Sequence, residues 1–310
     1  MKHEYIIGID GGGSHCRAVL QSSDGKIVGE GVSGASNIMS DPQQALQSIV
    51  SACKAAIADA NLSLSLSNVV VMAGLAGANI PKAKTYFLSL PMPFKRIHVM
   101  SDLHAACFGA HEGASGGLII CGTGSAATCY RDGTFKDIGG YGLSLGDNGS
   151  AAWLGLQAVK ITLLTMDGVH QESALAKRVV EQLQARTASD VVTITSSYKP
   201  SHYGELAPLV TACHEAGCKT ATEIIREGAR YIHSIIITLN EYYRSFCKTA
   251  GDSSVMPVCV VGGLAQTYIP LMPKNIQQSL CSPKTNAQRG AIGYFSQVDG
   301  AFDEVKEGVK

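Results

Sequence analysis

The chain has 310 residues, of which 45% are hydrophobic, 34 are glycine and only 16% are charged, against a usual ~25% charged. Its 25 basic residues balance 25 acidic ones, and this excludes a nucleic acid or an acidic membrane held by bulk charge. No apolar run approaches the ~18 residues of a membrane span, and the length predicts about two domains.

Residues 5–10 form a short apolar run that ends in Asp10-Gly11-Gly12-Gly13-Ser14. Residues 17–21 and 27–31 follow, separated by the turn signal Ser23-Asp24-Gly25, and the three segments read as antiparallel strands. Asp41-Pro42 opens a helix whose Ala45, Leu46, Ile49, Val50, Cys53 and Ile57 recur at helical spacing. A buried strand at 69–73, a helix over 81–90 and a strand over 96–100 come next. Ser101-Asp102 then caps a helix running to about residue 111.

Near residue 117 the pattern restarts. The apolar run 118–121 ends in Gly122-Thr123-Gly124-Ser125, followed by strands at 126–131 and 135–138 around the turn Asp132-Gly133. Superposing the glycine loops gives an offset of 111 residues, and superposing the turns gives 108. We read an internal duplication of strand, glycine loop, strand, turn, strand. Helices are predicted at 150–166, 172–184, 203–216 and 220–249, a strand at 258–261 ending in Gly262-Gly263, and a closing helix from 285. The predicted division is an N-terminal domain over 1–115 and a C-terminal domain over 116–310, with the last helix, about 285–297, packing back on the first domain.

Three glycine clusters therefore follow apolar strands. Such turns point backbone N–H groups outward with no side chain in the way, which suits phosphate oxygens. Neither usual single-loop fingerprint is present, because the first loop returns into a strand rather than opening a helix. The ten cysteines are spread along the chain and do not read as a disulfide framework, and several in apolar segments, such as Cys107, Cys121 and Cys259, read as small buried hydrophobes. Glu4 and Asp10 interrupt the stretch that a secretory leader would need, so the expected protein is soluble, reduced and cytoplasmic. Cys213, His214 and Cys218 lack a second ligand pair and read as core.

Ile-Gly-Ile-Asp-Gly-Gly-Gly-Ser at 7–14 resembles the first phosphate loop of the sugar kinase/Hsp70/actin superfamily. Cys-Gly-Thr-Gly-Ser at 121–125 resembles the second phosphate loop, and Val-Val-Gly-Gly-Leu-Ala at 260–265 the adenosine loop. Ser-Gly-Ala-Ser-Asn-Ile-Met at 33–39, Ser-Asp at 101–102 and Leu-Gly-Asp-Asn-Gly-Ser at 145–150 resemble a narrower group. These are the glucosamine and N-acetylglucosamine kinases of the BadF/BadG/BcrA/BcrD ATPase family. The likeness spans residues 5 to about 295.

The resemblance implies two ribonuclease-H-like α/β domains, as in actin-like ATPases, with ATP in the cleft between them. It implies an ATP-dependent kinase acting on the 6-hydroxyl of glucosamine or N-acetylglucosamine in the breakdown of amino sugars such as those from chitin. Asp10 would hold magnesium through water. Gly12, Gly13 and Ser14 would donate to phosphate from one side, Gly122, Thr123 and Gly124 from the other, and Gly262 and Gly263 would line the adenosine. Asp102 would be the general base on the sugar hydroxyl, held deprotonated by the helix N-terminus, which would lower its pKa. Asn37, Thr123, Ser144 and Asp147 would meet the sugar.

Each residue also has a plainer reading: Asp10 starts a turn, Asp102 starts a helix, Asn37 is a turn Asn and Asp147 an N-cap. Asn148 departs from the Gly-Asp-Glu-Gly-Ser of many relatives and puts the sugar preference in doubt. Free amine and N-acetyl group both stay open, although the Ser-Asn-Ile-Met loop resembles bacterial glucosamine kinases. A homodimer is the family-level expectation, and the balanced charge and short apolar runs leave no nucleic-acid or membrane partner expected. The alternative function is an ATPase activator of an acyl-CoA dehydratase or benzoyl-CoA reductase, with an iron–sulfur cluster shared across a dimer. Under that alternative Asn37 and Asp147 would have no task.

Overall fold

The computed structural model describes residues 5–246 and 255–307, with side chains through residue 297. In chain order the elements are β1 (Tyr5–Gly11), β2 (Cys16–Ser22), β3 (Ile27–Ser33), α1 (Pro42–Asp59), β4 (Val70–Leu75), α2 (Pro81–Leu88), β5 (Arg96–Ser101) and α3 (Asp102–His111). Then follow β6 (Gly116–Cys121), β7 (Ser125–Arg131), β8 (Thr134–Gly139), α4 (Ala151–Met166), α5 (Ala174–Leu183), α6 (Ala188–Thr195), α7 (Pro200–Gly204) and α8 (Ala207–Glu215). The chain closes with α9 (Lys219–Ser245), β9 (Val258–Val261), α10 (Ala265–Tyr268), α11 (Lys274–Ser279) and α12 (Ala287–Glu307).

Two compact units result: residues 1–116, 130–135 and 282–310 form the first, and residues 117–129 and 136–281 the second. The first carries a five-stranded sheet in the order β3-β2-β1-β4-β5, and a second sheet has the order β8-β7-β6-β9. β1 pairs antiparallel with β2 and parallel with β4, which pairs parallel with β5.

Strand alternation decides which face each side chain meets. Ile7, Ile9, Leu20, Val71 and Ala73 are buried with Ala45, Ile49, Cys53 and Ala56 of α1. Val70, Met72, Val19 and Met100 pack instead with Ala105 of α3 and Ala291, Ile292 and Phe295 of α12. α3 and α12 approach so closely that a Cβ on Gly290 would collide with the Ala105 carbonyl, and only glycine fits there. The second unit buries Ile119, Leu154, Val179, Val210, Ile225, Ile232 and Val258 in one cluster. The long α9 lines this cluster with Ile224, Ile225, Ile232, Ile235, Ile236 and Leu239, an apolar stripe at helical period.

Each unit ends its first strand with the same two carbonyl bonds, followed by a turn that is one residue shorter in the second unit. The Gly11 carbonyl accepts from Ala76 N–H at 2.7 Å, while Gly12 donates to His15 O at 2.9 Å and its carbonyl accepts from Ser36 N–H at 2.9 Å. In the second unit the Cys121 carbonyl accepts from Leu264 N–H at 3.3 Å, Gly122 donates to Gly124 O at 3.0 Å, and the Gly122 carbonyl accepts from Ala151 N–H at 2.8 Å. This equivalence pairs Gly11 with Cys121, an offset of 110. The glycine-on-glycine superposition expected 111, one residue too many, because backbone pairing rather than residue type defines the strand end. The hairpin turns keep the offset of 108, with φ of 84° at Gly25 and 83° at Gly133.

Other boundaries shift for local reasons. The single helix expected over 203–216 is two, α7 and α8, because Pro208 sits in the first turn of α8 and cannot continue a helix from before it. The helix expected to reach 249 is described to Ser245, and residues 247–249 lie outside the described residues. α6 has no counterpart among the expected helices, although Thr187 and Asp190 form a capping box at its start. That motif was visible in the sequence.

Candidate active site

In the first unit Asp10 is the penultimate residue of β1 and stands opposite Arg17 on β2. The Arg17 guanidinium lies 3.6 Å from the Asp10 carboxylate. Burial pushes the Asp10 carboxyl above its usual range, and Arg17 pulls it partly back. Arg17 was missed in the sequence reading, yet hairpin register alone puts it across from Asp10.

The glycines after Asp10 differ in what holds them. A Cβ on Gly11 would stand 2.6 Å from Leu75 Cδ2 and 2.7 Å from Ser36 Oγ, whereas a Cβ on Gly13 would meet nothing within 4 Å. Gly13 has no positive φ either. The fold itself therefore does not require glycine at 13. Of the three expected amide donors, Gly12 spends its N–H on His15, so the outward donors here belong to Gly13 and Ser14.

Asp102 is the first residue of α3, directly after β5. Ser101, at the N-cap position, makes no side-chain capping bond; instead Asp102 Oδ1 accepts from Leu103 N–H at 2.9 Å. The helix N-terminus was expected to lower the Asp102 pKa. The structure corrects this: burial dominates and the carboxyl is pushed up to about 6, against the pull of the Leu103 amide and with a further push from the Asp10 charge. Desolvation of the carboxylate outweighs the backbone hydrogen bonds that favour its charged form.

Asn37 holds its loop in an Asx turn, with Oδ1 accepting from Met39 N–H at 2.9 Å and Ser40 N–H at 3.2 Å. The Ile38 N–H donates to Ala76 O at 3.0 Å, which ties this loop to the end of β4. The Asn37 carbonyl oxygen is thus occupied, and its Nδ2 remains as a donor.

In the second unit Thr123 is exposed at the tip of the loop between β6 and β7, and its carbonyl accepts from Ala152 N–H at 3.1 Å. Gly122 and Thr123 thereby cap the first turn of α4, whose N-cap Ser150 accepts from Trp153 N–H. Asp147 is only 7% exposed and has φ 56°. Burial raises its carboxyl, opposed by hydrogen bonds from the Ser125 and Gly142 backbone. Ser144 is exposed in the turn that Gly142 starts by accepting from Leu145 and Gly146 N–H. Asn148 is exposed, and its carbonyl accepts from Ser125 Oγ at 2.8 Å.

After β9, Gly262 has φ 103° and a Cβ there would collide with the Cys121 carbonyl; Gly263 is exposed and open on all sides. A cavity of about 410 Å³ lies on α9, lined by Glu223, Arg226, Ala229, Arg230 and His233 with Leu271 and Pro273. Neither Arg226 nor Arg230 makes an ion pair with a described residue. These cations were not singled out from sequence, although Arg226, Arg230 and His233 recur at helical spacing. Cys213 is buried in the second core and His214 Nδ1 meets Thr222 Oγ1 at 2.9 Å.

A doubled α/β architecture with three glycine turns at strand ends defines the sugar kinase and actin-like ATPase fold. The family model for the BadF/BadG/BcrA/BcrD ATPases matches residues 7–302, and the chain belongs to that family. It is 30% identical over 289 residues to the glucosamine kinase GspK of Vibrio cholerae, covering 93% of this chain and 94% of that one. It is 26% identical to an N-acetylmuramic acid/N-acetylglucosamine kinase of Clostridium acetobutylicum, covering 73% and 76% of the two chains. A solved structure of a proposed N-acetylglucosamine kinase from Chromobacterium violaceum superposes with a TM-score of 0.80 at 28% identity, covering 94% of this chain and 98% of that one. Among the described residues no helix is long and apolar enough to cross a membrane.

Proposed function

We propose that the protein is an ATP-dependent amino-sugar kinase that phosphorylates the 6-hydroxyl of its sugar, with glucosamine the first candidate, as a homodimer in the cytoplasm. One observation carries the reading. Gly13, Gly122 and Gly263, one in each glycine turn, meet no protein atom within 3.8 Å of the Cβ they lack. A position where the fold leaves room for a side chain, and the chain still has glycine, fits close approach of a ligand. The 30% identity to a glucosamine kinase over nearly the whole chain supports the choice of sugar.

Asp102 is the general base. A carboxyl held at about pKa 6 is ionised at neutral pH yet basic enough to accept the sugar hydroxyl proton. Asp10 and Asp102 are part-buried carboxylates, and the Asp10 charge helps push the Asp102 carboxyl up; a carboxylate at Asp10 fits a hard divalent cation. Magnesium held through water at Asp10 would neutralise the transferred phosphate's charge. In the first unit the Asn37 Nδ2 is the candidate sugar donor, and in the second unit the Asp147 carboxylate, Ser144 and Thr123 are the candidate sugar contacts. The α9 cavity takes the nucleoside, with the Arg226 and Arg230 guanidinium planes suited to stack on a base.

The test is ADP release from magnesium-ATP with glucosamine, N-acetylglucosamine, glucose, N-acetylmannosamine or no sugar. Strong stimulation by one amino sugar is expected. A flat panel overturns the kinase reading. Light scattering checks the dimer.

A further inference from the structure

Cys259 is buried on β9 and Cys281 is exposed just beyond α11. The Cys281 N–H donates to Val258 O at 2.9 Å, and Val258 and Leu280 form a parallel bridge. This short strand-like segment holds the two cysteines side by side, with Sγ 3.4 Å from Sγ. We propose that Cys259 and Cys281 are a redox-active dithiol, which closes to an intramolecular disulfide by exchange with low-molecular-weight disulfides.

A disulfide bond is ~2.05 Å long, so closure needs the sulfurs to approach by about 1.4 Å while the backbone pairing already fixes their neighbourhood. The exposed Cys281 reacts first. Its thiolate attacks one sulfur of RS–SR, forms a mixed disulfide and releases RS⁻. Cys259 then loses its proton, and its thiolate attacks the Cys281 sulfur and releases the second RS⁻. The two protein thiols give up two electrons, and RS–SR is reduced to two RSH once both leaving thiolates are protonated. Burial pushes the Cys259 thiol up to about 12, and the neighbouring Cys281 sulfur adds to the shift. Both steps need a thiolate, so closure is slow at neutral pH. Cys259 lies three residues ahead of Gly262 on the same strand-to-loop segment, so the modification sits at the root of a glycine turn. The inference does not rest on the kinase reading.

The experiment incubates the full chain with oxidised glutathione, quenches with an alkylating agent, and maps the cysteines by mass spectrometry of peptides. The expected product is a Cys259–Cys281 linked peptide, two hydrogens lighter than the thiol pair and restored by dithiothreitol. Closure should quicken as the pH rises from 7 to 9, because both attacking sulfurs act as thiolates. Cys259→Ser should trap glutathione on Cys281, with Trp153 fluorescence reporting that the variant is folded. A wild-type chain that keeps glutathione on Cys281 at pH 9 without the linked peptide overturns the proposal. So does a folded chain in which Cys281 does not react while the urea-unfolded chain does. Both results come from the wild-type protein, so a misfolded variant does not blunt the test.

Discussion

The Asp147 carboxylate occupies the space that a side chain on Gly124 would need: Oδ2 stands 2.8 Å from where its Cβ would be. The segment assigned to the sugar and the loop assigned to phosphate are therefore one packed structure within the second unit. Gly124→Ala should displace the carboxylate, raise KM for the sugar and destabilise the protein by about 1–3 kcal/mol. Asp147→Ala in the same chain should restore the stability but not the sugar KM. A double-mutant cycle with thermal melts and sugar KM checks this, and additive stability losses would refute the coupling.

Asp102→Asn should lower kcat by ~10²–10⁴-fold with little change in sugar KM. In the wild type the rate should rise through about pH 6 and then level, because the base acts ionised. A pH–rate profile of both proteins decides this, and an Asn variant with full turnover would sink the assignment.

The same carboxyl sets a stability effect of opposite sign. Its folded pKa is raised from 3.8 to about 6, so between those values the folded chain binds the proton that the unfolded chain has lost, and stability falls as pH rises. Above pH 6 this costs up to about 3 kcal/mol. Asp102→Asn should therefore melt higher than wild type at pH 7–8, with the gain fading toward pH 4. Equal melting temperatures at pH 7.5 would contradict it.

Gly11 and Gly13 should respond differently to alanine. Gly11→Ala meets Leu75 and Ser36 and should cost about 1–3 kcal/mol in a melt. Gly13→Ala has open space and should leave stability within about 0.5 kcal/mol, while raising KM for ATP. An unchanged ATP KM would remove the loop from the phosphates.

Asn37→Asp keeps the oxygen that accepts from Met39 and Ser40 and exchanges the Nδ2 donor for a charged acceptor. The loop should hold and the melting temperature stay near wild type, while sugar KM rises at least several-fold. Asn37→Ala should lose both. If the Asp variant binds sugar normally, the residue serves the turn alone.

Much of this protein could be read from its amino acids. Apolar runs that stop at Gly11, Gly122 and Gly262 mark strand ends, and the spacing of Ile49, Cys53 and Ile57 marks a helix face, because both signals are local. Thr187 and Asp190 carried a helix start in the same local way and were passed over. What distance along the chain conceals is different in kind. Only the packed fold sets the burial that lifts Asp102 to about 6 against its own helix end. Only the fold decides which glycines are open and which are pinned, since the neighbour of Gly124 is 23 residues away and that of Gly290 is Ala105. Neighbouring residues alone specify the doubled strand-and-glycine plan, because hydrogen-bonding period and turn chemistry are local. Charge state, steric clearance and the meeting of Cys259 with Cys281 belong to the tertiary structure, because desolvation and contact depend on atoms that the chain brings together only when folded.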